Sequence, residues 1–83
     1  MWLAQVYVTL KPVVKDPQGQ AIQGGLHNLG FESVQSVRVG KYLEIKLEAD
    51  TRERAEQEVH DMCAKLLANP IIEEYRFEVV PSQ

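Results

Sequence analysis

The sequence has one cysteine, Cys63, among its 83 residues, and it has no long apolar run. A single cysteine cannot form an intramolecular disulfide or complete a structural zinc site. Small domains that are stabilised by disulfides or by structural zinc are therefore excluded. No apolar segment approaches the roughly 20 residues that cross a bilayer, so a membrane is not an expected partner. This use of cysteine predicts a reducing compartment, and we expect the protein in the cytoplasm.

Basic residues are also few, since nine Lys and Arg stand against twelve Asp and Glu and give a net charge of −3. Non-specific binding to nucleic acid requires a strong positive balance, so nucleic acid is not an expected partner either. The composition, 45% hydrophobic and 25% charged, is typical of a globular protein. A chain of this length predicts one domain, residues 1–83, with a thin core and little room for an enclosed active site.

Alternating apolar residues predict four β-strands. The alternation covers residues 2–10, 34–39, 42–48 and 72–80. The second and third segments are separated by Gly40-Lys41, which is typical of a tight hairpin turn. The sequence therefore predicts that the second and third strands pair with each other.

Apolar residues three or four positions apart predict two helices. Asp16 is a favoured N-cap, Pro17 suits the first helical position, and Gly30 is a typical residue just beyond a helix end. The second helix is expected to start with Asp50 as an acidic N-cap and to stop before Asn69-Pro70. Its predicted core stripe is Ala55, Val59, Met62, Cys63 and Leu66.

The resulting element order, βαββαβ, predicts an α+β fold of the ferredoxin-like type. This is a sandwich with a four-stranded antiparallel sheet and two helices on one face. The architecture hosts many functions, so function must be argued from sites.

The side chains that carry chemistry are sparse. Cys63 and His60 are three positions apart on the second helix, but two ligands are too few for structural zinc, and Cys63 lies within the core stripe. Asp61 follows His60 directly and points about 100° away, so the two form no catalytic dyad. We predict no catalytic, cofactor-binding or metal-binding residue in this chain.

Two surfaces have the character of binding surfaces. Arg38 and Lys41, with Lys11 and Lys15, form either a basic patch for a phosphate or an acidic partner, or an ordinary solvated rim. The helix-free sheet face is expected to be unusually apolar, with Leu3, Tyr7, Val34, Tyr42, Ile72 and Val80. Extended apolar surface usually marks association, so we expect a protein that works by binding other chains and is at least a dimer.

Three stretches of the sequence resemble one family closely. They are LKPVVKDPQG at residues 10–19, VRVGKYLE at 37–44 and CAKLLANPIIEEY at 63–75. Together, in this order and spacing, they resemble the PurS family. Its members are small subunits of bacterial and archaeal phosphoribosylformylglycinamidine (FGAM) synthase. The resemblance covers nearly the whole chain.

This resemblance implies a role in de novo purine biosynthesis. The complex converts formylglycinamide ribonucleotide (FGAR), ATP and glutamine to FGAM, ADP, phosphate and glutamate. The large PurL subunit uses ATP and magnesium to activate the substrate, and the PurQ glutaminase releases ammonia. A PurS-like chain is a non-catalytic dimer that joins the two and supports ammonia transfer.

On this basis the partner-facing residues are expected to be Asp16, Pro17, Gly19, Arg38 and Lys41. For Asp16 and Pro17, cap formation is an equally good interpretation. The alternative function is a dimeric regulatory sandwich that binds a small ligand. Such domains favour a glycine-rich turn after the first strand, and here that segment has only Gly19.

Overall fold

The computed structural model describes residues 1–82 and contains an α+β fold. The strands are β1 (Trp2–Leu10), β2 (Gly40–Leu47) and β3 (Glu73–Pro81), and they form an antiparallel sheet in the order β2-β1-β3. The helices are α1 (Pro17–Asn28) and α2 (Arg52–Met62), and a π-helical turn, Cys63–Leu67, continues α2. No helix in this part of the chain is both long enough and apolar enough to cross a membrane.

The core lies between the central strand and α2. Every second side chain of β1 points toward α2, as the alternation predicts. The residues with almost no exposed surface are Ala4, Val6, Val8, Ala55, Val59 and Cys63. Burial of each valine side chain stabilises the fold by about 1.5–3 kcal/mol. Cys63 therefore belongs to the core, as predicted.

The four-stranded sheet predicted from the sequence does not form within one chain. Residues 34–39 are not a strand, and no hairpin turn occurs at Gly40-Lys41, where β2 simply begins. Residues 34–39 lie beside α1, where Gln23 and His27 bind the main-chain oxygens of Gln35 and Val34, and they lead into β2 at Gly40. The glycine reflects a close approach to β1, because a Cβ at Gly40 would collide with the carbonyl oxygen of Val8.

The predicted caps of α1 are confirmed. Asp16 is the N-cap and Pro17 is the first helical residue. At the other end Gly30 has a φ of 99°, and the main-chain N–H groups of Gly30 and Phe31 donate to His27 and Leu26. These two bonds form a Schellman motif.

The start and end of α2 differ from the prediction in detail. The N-cap is Thr51 and not Asp50, because Thr51 is extended and its hydroxyl oxygen accepts from the N–H of Arg54 at 3.2 Å. Leu66 was expected in the core but is 83% exposed. The π-helical turn adds a residue to the helical repeat and thereby turns Leu66 outward, while Leu67 packs on the core.

The chain is far from compact. We call residues 12–39, which project beyond the sheet, the arm. The radius of gyration is 16.2 Å, whereas a compact domain of this length has one of about 12 Å. The molecule measures 51 × 29 × 14 Å. The arm thus has no core of its own to pack against.

Candidate partner-binding site

The arm leaves the sheet at a neck, where β1 ends and β2 begins. There the side chain of Asp16 joins the segment that leaves β1 to the segment that enters β2. Its Oδ1 accepts from the N–H of Gly19 at 3.0 Å, and its Oδ2 accepts from the N–H of Val39 at 2.8 Å. The side chain is buried, with 9% of the residue exposed. The start of α1 is therefore tied to the residue just before β2.

The charge of Asp16 is stabilised by these bonds. The hydrogen bond from Val39, followed by that from Gly19, lowers the pKa of the carboxyl group. Burial acts in the opposite direction, and the positive charge of Arg38 lowers the pKa further. The Asp16 carboxyl group is thus ionised in the folded protein at neutral pH.

The Arg38 side chain makes a second hydrogen-bonded connection across the neck. Its guanidinium Nη2 donates to the main-chain oxygen of Leu10 and, at 3.1 Å, to that of Lys11. Both acceptors lie where β1 ends and the arm begins. Two independent side chains therefore fix the direction in which the arm leaves the sheet.

Gly19 and Pro17 shape the same neck. A Cβ at Gly19 would collide with the carbonyl oxygen of Val37 and would lie 2.8 Å from an Asp16 carboxylate oxygen. Pro17 begins α1 and is exposed. The close packing of α1 on residue 37 thus requires glycine at position 19.

Lys41 lies outside this network. It pairs with Val8 on β1 and is exposed. Of the five residues predicted to face a partner, the structure brings Asp16, Gly19 and Arg38 together in the neck, with Pro17 beside them. Their contact with a partner stays a prediction.

The helix-free face of the sheet carries a stacked row of side chains. Tyr42, Tyr7 and Arg76 are neighbours across the three strands. The two tyrosine rings are 5.0 Å apart between centroids, and the Arg76 guanidinium carbon is 4.1 Å from the Tyr7 centroid. Tyrosine and arginine are the residues most often central to protein interfaces. Both tyrosines are expected on this face from the sequence, whereas the stacking of Arg76 depends on strand register and has no local sequence signal.

Tyr42 also touches an acidic neighbour on this face. Its hydroxyl donates to Glu44 Oε2 at 3.0 Å. Burial, together with Glu44, raises the pKa of Tyr42. The phenol therefore stays neutral and keeps donating under physiological conditions.

The exposed apolar surface lies only partly where the sequence predicts it. On the helix-free face Tyr42 is 47% exposed, Leu3, Tyr7 and Val80 are half-buried, and Val34 and Ile72 lie outside the sheet. The arm instead exposes large apolar residues, namely Val13 (92%), Leu29 (75%), Phe31 (56%) and Ile22 (47%). A second group, at the turn before β3, is Leu66 (83%) and Ile71 (79%). The arm therefore carries one group of exposed apolar side chains, and its part in association stays a prediction.

His60 and Cys63 have separate structural roles. Cys63 is fully buried, and this burial raises the pKa of its thiol. His60 Nδ1 is 3.0 Å from the Tyr75 hydroxyl, and the two rings are in contact at 5.9 Å between centroids. The thiol therefore packs in the core, while His60 contacts β3.

Comparison with known proteins identifies the family. The family model described as "PurS: Phosphoribosylformylglycinamidine (FGAM) synthase" matches residues 3–81. The chain belongs to the PurS family. A PurS subunit of Synechocystis is 51% identical over 75 residues, which are 90% of this chain and 75% of that protein. A PurS subunit of Bacillus subtilis is 49% identical over 79 residues, or 95% of this chain and 93% of that one.

Solved PurS structures share the fold. B. subtilis PurS matches with a TM-score of 0.86 at 48% identity and covers 98% of this chain and 100% of its own. Methanocaldococcus jannaschii PurS matches with a TM-score of 0.89 at 40% identity, and both chains are fully covered. A chain of the structure described as PurLQS from Thermotoga maritima matches with a TM-score of 0.85 at 30% identity. The match covers 96% of this chain and 99% of that one.

Proposed function

We propose that this chain is the non-catalytic small subunit of an FGAM synthase complex. That complex converts FGAR, ATP and glutamine to FGAM, ADP, phosphate and glutamate in de novo purine biosynthesis. One observation carries the proposal: the PurS family model matches residues 3–81. The likeness of 96% of the chain to part of a PurLQS structure supports it.

The partners in this proposal are a PurL-type synthetase, which uses ATP and magnesium, and a PurQ-type glutaminase. Ammonia released by the glutaminase gains a proton in neutral water and then no longer acts as a nucleophile. A shielded route between the two active sites is therefore advantageous. An adaptor serves this purpose by holding the two partners at a fixed distance. The hydrogen bonds of Asp16 and Arg38 across the neck support such a role, because they tie α1 and residues 38–39 to the end of β1.

The proposed adaptor contributes no reacting group. Cys63 is its single cysteine, and the thiol is buried with a raised pKa, so it is a poor nucleophile. The His60 ring is engaged with the Tyr75 hydroxyl on β3. These positions support a role in assembly and not in chemistry. The proposal places this assembly in the cytoplasm, where de novo purine biosynthesis takes place.

Self-association is the second part of the proposal. The exposed apolar residues of the arm and the large radius of gyration both favour a dimer or a higher oligomer. The four-stranded ferredoxin-like sandwich is retained as the architecture of the assembled subunit.

The proposal is tested by sedimentation of the purified chain with a PurL-type and a PurQ-type subunit. The three are mixed with and without ATP, magnesium and glutamine. We expect the chain to sediment with both partners in at least one condition. A chain that joins neither partner in any condition, but is stabilised against heat by an amino acid or a nucleotide, would support the regulatory alternative instead.

A further inference from the structure

Arg76 is held in place on the helix-free face but has no acceptor there. Its guanidinium carbon is 4.1 Å from the centroid of the Tyr7 ring, and the Tyr42 ring, on the other neighbouring strand, is 5.0 Å from the same ring. Arg76 is exposed, and across residues 1–82 its guanidinium forms neither an ion pair nor a hydrogen bond. A guanidinium that stacks on an aromatic ring keeps the N–H groups in its own plane available to an acceptor. Arg76 is therefore an oriented donor without a partner among these residues.

A cleft opens beside the stacked row, on the side of the neck. The next row of the sheet in that direction consists of Gly40, Thr9 and Glu74. Gly40 has no side chain and Thr9 has a short one, so this row is low beside the two tyrosine rings. The resulting cleft has a volume of about 430 Å³, which lies within the ~300–1,000 Å³ typical of small-molecule sites. The space is therefore sufficient for a small metabolite.

The cleft presents one carboxylate and one guanidinium. Glu74 and Arg76 are two residues apart on β3, so both side chains point to the helix-free face at a separation of about 7 Å along the strand. Both residues are exposed, and they do not form an ion pair with each other. Lys41 and Tyr75 also line the cleft, but the alternation of the strands directs their side chains to the α2 side. Two opposite charges thus stand next to each other without neutralising each other.

We propose that this cleft binds a neutral α-amino acid as its zwitterion. The α-carboxylate accepts from the fork of N–H groups of Arg76, and the α-ammonium group donates to the carboxylate of Glu74. The side chain of the amino acid lies over Gly40, beside the Tyr42 ring. Binding of this kind goes beyond the adaptor role and does not depend on it.

A zwitterion matches the cleft better than a ligand of a single charge. A phosphate would meet Arg76 but would be repelled by Glu74, and Glu44 and Glu78 are exposed on the other side of the stacked row. A simple amine would leave Arg76 without an acceptor. A second carboxylate on the ligand would add to the three negative charges already present, so the side chain of the amino acid is uncharged.

Titration of the isotope-labelled full chain with amino acids, followed by two-dimensional NMR, tests the proposal. Glutamine and alanine are the probes, and with either we expect saturable shifts of the amides of residues 9, 40 and 74–76. Two analogues of glutamine are the matched ligands, since glutaramic acid lacks the α-amino group and γ-aminobutyramide lacks the α-carboxylate. Each should bind about tenfold or more weakly than glutamine, because one charge-assisted interaction is lost.

Substitutions on β3 test the position of the site. Glu74→Gln and Arg76→Gln should each weaken glutamine binding about tenfold or more. Glu78→Gln is the matched control, because Glu78 is also two residues from Arg76 on the same face but lies on the side away from the cleft. It should change the affinity by less than about twofold. All three residues are exposed, so the variants should keep the fold, which circular dichroism checks.

Three results would overturn the proposal. One is the absence of saturable shifts with both glutamine and alanine into the tens of millimolar. Another is glutaramic acid binding as tightly as glutamine, which would show a general anion site. The third is an equal loss of affinity in Glu78→Gln, which would place the ligand elsewhere. Because the titration uses the isolated chain, these results leave the adaptor role to its own test, sedimentation with a PurL-type and a PurQ-type subunit.

Discussion

Asp16 and Val39 are joined by a hydrogen bond of 2.8 Å, from the main-chain N–H of Val39 to the Oδ2 of Asp16, across 23 positions of the sequence. The bond closes the base of a loop that contains the whole of α1. The Arg38 guanidinium, bound to the oxygens of Leu10 and Lys11, adds a second connection across the neck. Four of the residues first selected as partner-facing thus have defined structural positions at the neck.

Asp16→Asn should loosen the neck and change how stability depends on acid. The pKa of Asp16 is lowered in the folded state, so its contribution is fully present above the unfolded pKa, near 3.9. The contribution is lost as the pH falls through the lower folded pKa. Asn caps helices as well as Asp does, but its amide NH2 cannot accept the hydrogen bond from the N–H of Val39. We therefore expect the variant to melt about 4–8 °C below the parent at neutral pH, and this gap in melting temperature should narrow below pH 4.

Thermal melts followed by circular dichroism between pH 2.5 and 7 measure this gap. Asp61→Asn, at an exposed position on α2, is the matched control and should leave the melting temperature nearly unchanged at pH 7. A gap that is constant with pH would show that the Asp16 charge does not stabilise the neck.

Gly19→Ala should be destabilising, whereas Gly24→Ala in the same helix should be stabilising. A Cβ at position 19 meets the Val37 oxygen, while position 24 has open space. We expect a loss of more than about 1 kcal/mol in the free energy of unfolding for the first variant. For the second we expect a gain of about 0.5–1 kcal/mol. Urea unfolding at a fixed protein concentration measures both, and equal effects would contradict the close approach of α1 to residue 37.

Cys63 should behave as a packing residue. Its thiol should not react with an aromatic disulfide reagent in the folded protein, and it should react fully in denaturant, because it is buried and its pKa is raised. Cys63→Ala should lower the free energy of unfolding by about 1 kcal/mol. The assembled complex should retain its turnover, and a folded, assembled but inactive variant would refute a purely structural role.

Arg38 and Lys41 should separate into different roles when each is replaced. Arg38→Ala removes the hydrogen bonds between the guanidinium group and the end of β1. The variant should therefore have a lower melting temperature than the parent in the absence of any partner. Lys41→Ala should leave the melting temperature unchanged but weaken partner binding at low salt, because exposed charges act through screened electrostatics. Partner affinities measured from 50 to 500 mM salt check this. Binding by Lys41→Ala that equals the parent at every salt concentration would assign Lys41 to the solvated rim.

Much of the fold follows from local sequence signals. The caps at Asp16 and Gly30, the core alternation of β1 and the buried position of Cys63 are all confirmed, because each depends on neighbouring residues alone. The strand predicted at residues 34–39 is wrong for the single chain. The valine alternation there is a β-signal, but local sequence does not specify a neighbouring strand with which the segment could pair.

The site residues show the same division. Arg76 is unremarkable in the sequence and stacks on Tyr7 only through the register of β3 against β1. Leu29 and Ile22 fit an amphipathic helix, and nothing in that pattern says that the two side chains stay exposed within the single chain. Long-range pairing, and not residue type, decides these features.

The most direct test of the central claim, that this chain couples two enzymes without catalysing either reaction, is a reconstitution with and without it. FGAM formation is measured with a PurL-type and a PurQ-type subunit, ATP and magnesium, with either glutamine or a high ammonium concentration as nitrogen donor. We predict that omitting the chain abolishes glutamine-dependent synthesis and largely spares ammonium-dependent synthesis. The isolated chain should hydrolyse neither glutamine nor ATP. A full glutamine-dependent rate in its absence, or glutaminase activity of the pure chain, would contradict the account.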